Sequence, residues 1–229
     1  MSTRRLEALG VTTNRSARLA RNGWLVRLGH GVFMLPGDTL DRDACLALFG
    51  EGVKGFHVAG KTALEWRGIR HNLQFKEKLS LWGDKPAKLP PWLPQHFPCR
   101  YQTTHLFDDA LPLELGLAPL PNGRPDVLVS TPERALLELL SDAGKNQSIE
   151  ETRHLVESVR NLRLPLLDEL MSHLTRLKVV RLARMLADDF NQPWKTLAEK
   201  HSERLGGGER WISVGKTGDL LDLKRQSRK

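Results

Sequence analysis

Tyrosine and cysteine are nearly absent from this 229-residue chain, which has one Tyr and two Cys. Cys45 and Cys99 show no metal-ligand spacing, and so few thiols fit a reducing compartment better than a disulfide framework. The eight histidines do not pair at metal spacing either. No apolar run approaches the ~20 residues that a bilayer-spanning helix requires. No apolar stretch follows the first basic residues as it would in a secretory signal. Internal repeats and low-complexity segments are missing as well. Together these absences lead us to expect a cytoplasmic protein with no membrane segment, no metal and no cofactor.

What is present is an ordinary globular composition, 40% hydrophobic and 27% charged, with a net charge of +8. The surplus is uneven. Six arginines less Glu7 leave +5 over residues 1–36, more than half of the total in about a sixth of the chain. A second basic cluster, Lys224, Arg225, Arg228 and Lys229, reads as a solvated, frayed end. A basic surplus concentrated in this way speaks of a polyanionic partner rather than of fold.

Within that basic stretch the residues spell a helix, a turn, a helix and a hairpin. Leu6 and Leu9 lie three apart on a first helix. Gly10 can stop it in a left-handed conformation. Thr12 or Thr13 can cap a second helix, with Ala17, Leu19 and Ala20 expected inward and Arg15, Arg18 and Arg21 outward. Trp24 to Leu28 alternates with the period of a half-buried strand, and Gly29-His30-Gly31 is a hairpin tip. This is the order of a winged helix-turn-helix. Its second helix would enter the major groove, with Thr13, Asn14, Arg15 and Arg18 over base edges. Arg4, Arg5, Arg21, Arg27 and His30 would neutralise phosphates, with Thr12 at the helix start. The expected partner is a double-stranded DNA operator with inverted repeats, bound by a monomer or weak dimer. The motif begins so near Met1 that its core is expected to draw on residues 40–49 or on a second chain.

Pro36-Gly37-Asp38 marks a boundary between a head of residues 1–37 and a larger domain of residues 38–229. Helices are expected at about 40–49 and 61–66, strands at 79–82 and about 100–107, and an irregular loop at 86–98. A short strand at 126–130 leads into Thr131-Pro132-Glu133, where threonine caps a helix and proline takes its first position. Helices follow at about 132–141, 149–162, 165–173 and 175–190, and then a hairpin at 210–214 and 220–223. The fold class is therefore α+β, a winged helix-turn-helix followed by a mixed domain with a helical middle.

Gly55-Phe56-His57-Val58-Ala59-Gly60-Lys61-Thr62 matches the phosphate-loop spelling, but no strand is expected before it and its interior is apolar. We read it as a strand or turn leading into a helix. Glu133 and Glu138 lie roughly 140° apart around a helix and do not converge. No serine sits in a nucleophile elbow. No catalytic residue is assigned and an enzyme is not expected. A nucleotide-dependent enzyme built on residues 55–62, and a head that docks proteins rather than DNA, are the alternatives.

Several stretches in order resemble one family. They are Asn22 to Phe33, His57 to Leu64, Leu89-Pro90-Pro91-Trp92-Leu93, Ser130 to Glu138, Leu162-Arg163, Lys178-Val179-Val180-Arg181-Leu182 and Leu205-Gly206-Gly207-Gly208. In this order the chain resembles the AbiEi antitoxins of type IV toxin–antitoxin systems. The resemblance implies a head that represses its own operon and a C-terminal domain with antitoxin activity. It also implies a nucleotidyltransferase-like toxin encoded alongside, counteracted directly or indirectly, in abortive infection.

Overall fold

The computed structural model describes residues 1–70 and 78–205 in full, and residues 210–214 and 220–224 as backbone. His71, the Gly206–Gly208 loop and the tail from Arg225 lie outside the described residues.

The head starts with α1 (Thr3–Ala8), whose N-terminus is capped by the Ser2 hydroxyl accepting from the Arg5 amide at 3.3 Å. Gly10, at φ 79°, turns the chain in the left-handed region open to glycine. Thr12 then caps α2 (Thr13–Arg21), its hydroxyl accepting from the Arg15 amide. Gly23, at φ 77°, turns the chain again. Strands β1 (Val26–Gly29) and β2 (Val32–Met34) form an antiparallel hairpin with Val26 opposite Met34. Its other edge is lined by the first residues: the Phe33 amide donates to the Met1 carbonyl at 2.9 Å, and the Thr3 amide to Gly31 at 2.7 Å. The element order is that of a winged helix-turn-helix.

Leu6, Leu25 and Phe33 form the head's own small core, with Val11, Leu19 and Ala20 against it. The expected inner face of α2 is corrected at one place. Ser16, not Ala17, is the fully buried residue, and its hydroxyl satisfies the Thr13 carbonyl at 2.8 Å. Residues 40–49 do not complete this core either. They form α3 (Arg42–Gly50), capped by Asp41, and its Cys45, Leu46 and Ala47 enter the larger core instead. The wing reaches the same core through Leu28 and Val32.

The larger domain is built on a mixed five-stranded sheet. Its strands are β3 (His57–Val58), β4 (Leu79–Trp82), β5 (Cys99–Gln102), β6 (Leu117–Ala118) and β7 (Val129–Ser130), in the order β5-β4-β3-β7-β6. The pairs β3–β7 and β4–β5 are parallel; β3–β4 and β6–β7 are antiparallel. Helix α4 (Gly60–Trp66) leaves β3, and α5 (Trp92–His96) precedes β5. A helical layer follows: α6 (Pro132–Asp142), α7 (Ile149–Ser158), α8 (Leu164–Ser172), α9 (Leu177–Asp189) and α10 (Lys195–Leu205). A hairpin of β8 (Arg210–Val214) and β9 (Leu220–Lys224) comes last, antiparallel as expected. Helix α6 is the centre of the domain, with Leu136, Leu137, Leu139 and Leu140 all buried. Full burial of one such side chain is worth about 1.5–3 kcal/mol.

Five expectations change. The 86–98 stretch contains α5 rather than only loop. The strands near 100–107 and 126–130 shrink to Cys99–Gln102 and Val129–Ser130. Helix α10 was not expected. Thr131 stands at the N-cap of α6, but its hydroxyl makes no capping bond.

Candidate nucleic-acid interface

At about 100° per residue, the burial of Ser16 with Leu19 and Ala20 fixes which side of α2 faces out. Asn14, Arg18 and Arg21, spaced four and three apart, occupy the middle of the solvent side, and Arg15 lies to one flank. All of these are exposed, as are Arg4, Arg5, Thr12, Thr13, Arg27 and His30. The ten expected site residues thus share the head's surface. The two threonines are already engaged in holding the turn. Thr12 caps α2, and the Thr13 hydroxyl donates to the Glu7 carboxylate at 2.6 Å. Arg27 lies over the Phe33 ring at 5.4 Å. With Arg21 it borders a shallow groove floored by Ala17 and Ala20. His30 is exposed at the wing tip, where neighbouring Gly29 closes on the body: a Cβ there would stand 2.7 Å from Trp92 Cδ1.

The arginines divide by location. Among the described residues, Arg4, Arg5, Arg15, Arg18 and Arg21 make no side-chain hydrogen bond or ion pair. In the body, Arg100 reaches Asp142 and Ser80, and Arg163 grips Glu133 in a two-pronged pair. Arg67 donates to three carbonyls, of Ala118, Val129 and Ser130, and so ties α4 to β6 and β7. Arg42 stacks 3.9 Å over Trp66. Body arginines such as these serve the fold, whereas the head's arginines face water.

The phosphate-loop spelling is a strand leading into a helix, as expected. A strand is present, but β3 lies inside the spelling, so no loop is left to wrap a phosphate. Four amides of this stretch are committed within the protein. Phe56 donates to Val53 at 3.2 Å, Val58 to Leu128 and Ala59 to Ser80 both at 2.9 Å, and Gly60 to the Glu138 carboxylate at 2.9 Å. Lys61 is paired with Glu65 and Glu151.

Glu138 is therefore the anion at the start of α4. It is fully buried and accepts from His57 Nε2 at 2.9 Å, Ser130 Oγ at 2.8 Å, Arg134 Nε at 3.0 Å and the Gly60 amide. The other nitrogen of His57 faces the Gly55 carbonyl at 2.7 Å, so both ring nitrogens donate. Burial alone would raise the Glu138 carboxyl, but the His57 and Arg134 charges and these hydrogen bonds hold it below the usual range. Burial would likewise raise Glu133, yet the Arg163 guanidinium and amide bring it down to about 2. The two carboxylates serve separate networks, as their spacing implied. Burial pushes the Cys99 thiol up to about 11 and the Lys178 ammonium down to about 8; Lys178 donates to the Ser141 and Ala143 carbonyls at the end of α6. Among the described residues no group of three or more His, Cys, Asp or Glu could hold a metal ion. None of the described helices is long and apolar enough to cross a membrane.

The chain is a mixed α+β protein whose first residues present exposed arginines on a helix, turn, helix and hairpin. Two family models cover nearly all of it: "Transcriptional regulator, AbiEi antitoxin N-terminal domain" matches residues 1–75, and "Transcriptional regulator, AbiEi antitoxin, Type IV TA system" matches residues 76–226. The chain belongs to the AbiEi antitoxin family of transcriptional regulators of type IV toxin–antitoxin systems. That family is one of regulators and antitoxins, not a class of enzymes. Among solved structures the chain is similar to the RV2827C protein from Mycobacterium tuberculosis. The TM-score is 0.58 at 17% identity, over 90% of this chain and 75% of that one. At that identity the likeness concerns the fold alone. No curated protein matches the chain.

Proposed function

We infer that this chain represses its own operon by binding operator DNA through residues 1–37, and that the domain behind counteracts a nucleotidyltransferase-like toxin encoded with it. The observation that carries the DNA-binding half is the set of unpaired arginines on and beside α2. Isolated cations on one convex element are placed to displace counterions from phosphates. Asn14 and Arg18, at the centre of the outer face, are the base-reading side chains, with Arg15 beside them. Arg4, Arg5, Arg21, Arg27 and His30 hold the backbone. Thr12 and Thr13 set the geometry of the helix start. One head offers few contacts, so two copies on an inverted repeat are expected. The toxin half rests on family membership and on the resemblance described above.

The test is a mobility-shift titration on duplex from upstream of the gene, across a range of salt. Log affinity should fall linearly with log salt, by roughly 0.9 per phosphate neutralised. Absent binding, or binding indifferent to salt, removes the DNA reading. Growth rescue on co-expression with the neighbouring toxin gene tests the antitoxin reading separately.

A further inference from the structure

We propose that Trp24 is a DNA-backbone contact, its indole ring packed on a deoxyribose and its Nε1–H donated to a phosphate oxygen. This rests on the DNA-binding reading above. Trp24 is 70% exposed, whereas Trp82, Trp92 and Trp194 are buried and Trp66 is half-buried. Its exposure is built into the chain path. Gly23 turns at φ 77°, the Trp24 amide is held by the Leu19 carbonyl at 3.0 Å, and Leu25 anchors inward in the head's core. With Leu25 fixed inward, the side chain before it is directed outward at the elbow between α2 and the wing. Arg21 and Arg27 lie three residues to either side in sequence, and both are exposed.

Charge selects the occupant. A large exposed aromatic alone marks an interface of unspecified kind. Here it is flanked by cations on a head whose one acidic side chain in residues 1–36, Glu7, already accepts from Thr13. A second copy meeting this face would set like charges against each other. A polyanion with apolar sugar faces between its charges complements both features at once.

The experiment compares wild type, Trp24→Phe and Trp24→Ala on duplex from upstream of the gene and on a mixed-sequence duplex. The Trp24 fluorescence component, wild type less Trp24→Phe, is also titrated with acrylamide. The side chain is exposed, so both variants are expected to fold. Trp24→Phe, which loses a hydrogen bond to a charged group, should weaken binding about tenfold, and Trp24→Ala, which loses the ring contact as well, should weaken it further, on both duplexes alike. Saturating duplex should at least halve the quenching of the Trp24 component. Trp24 quenched equally with and without DNA, in a protein that binds, overturns this inference and leaves the function above standing. Protection that follows protein concentration without DNA overturns it in favour of self-association. Wild type that binds neither duplex removes both.

Discussion

Replacing Glu138 by alanine removes one carboxylate and orphans four donors. The Arg134 guanidinium loses its counter-charge in a site almost closed to water, and His57 Nε2, the Gly60 amide and the Ser130 hydroxyl lose their acceptor. Breaking a buried ion pair from one side costs about 3–5 kcal/mol, and each orphaned neutral donor about 1–3. These terms overlap as the site relaxes and admits water, so we take about 4 kcal/mol as the working figure, against a total stability of about 5–15 for a typical domain. For a chain of this size that is a fall in Tm of roughly 8–16 °C. Glu138→Gln keeps the shape but turns one acceptor oxygen into a donor facing donors, so it should recover only part of the loss. Urea titration monitored by tryptophan fluorescence, with thermal unfolding beside it, measures both variants. The body of the protein is affected and the head is not, so DNA affinity of the folded fraction at low temperature should remain. A Glu138→Ala protein within about 1 kcal/mol of wild type would refute the claim that this carboxylate organises the body.

Gly29→Ala drives a methyl group into Trp92 and should destabilise the wing–body junction by about 1–3 kcal/mol, seen as a lower Tm; an unchanged Tm would mean that the junction yields freely. Glu133, held near 2, has a folded pKa below its unfolded value of 4.5. Its contribution is therefore complete above the unfolded value and lost as pH falls from there toward 2. Arg163→Ala should flatten this part of the acid-unfolding curve, and an identical curve would remove Arg163 as the cause. Arg18→Ala should narrow the gap between operator and mixed-sequence duplex, whereas Arg27→Ala should weaken both alike, in paired titrations; equal loss of discrimination from both would undo the division of roles.

What could be read from the sequence follows from how local the causes are. The head's helices, glycine turns and hairpin are set by neighbouring residues, so the ten surface side chains were locatable before any coordinates. The burial of Ser16 in place of Ala17 is not legible in composition, because a serine normally faces water; here its hydroxyl bonds one turn back to Thr13 and lets it sit inside. Helix α10 was missed because Lys195 to Leu205 is polar, with only Leu197, Ala198 and Leu205 to suggest a buried side. Glu138 was the hardest to foresee. Arg134 is one turn away on the same helix, but His57 and Gly60 are 81 and 78 residues distant. The phosphate-loop letters lack a preceding strand; the strand falls within them, and the chain supplies its own anion.

The close approach of Gly29 to Trp92 seats the hairpin against the body. A head on a free tether could seek half-sites at many separations. A head whose wing is seated on the body has its reach set by the body's shape. If two copies share an operator, the spacing of its half-sites is then a measurement of the second domain, recorded in the DNA. Insertions between the half-sites would then report on protein geometry.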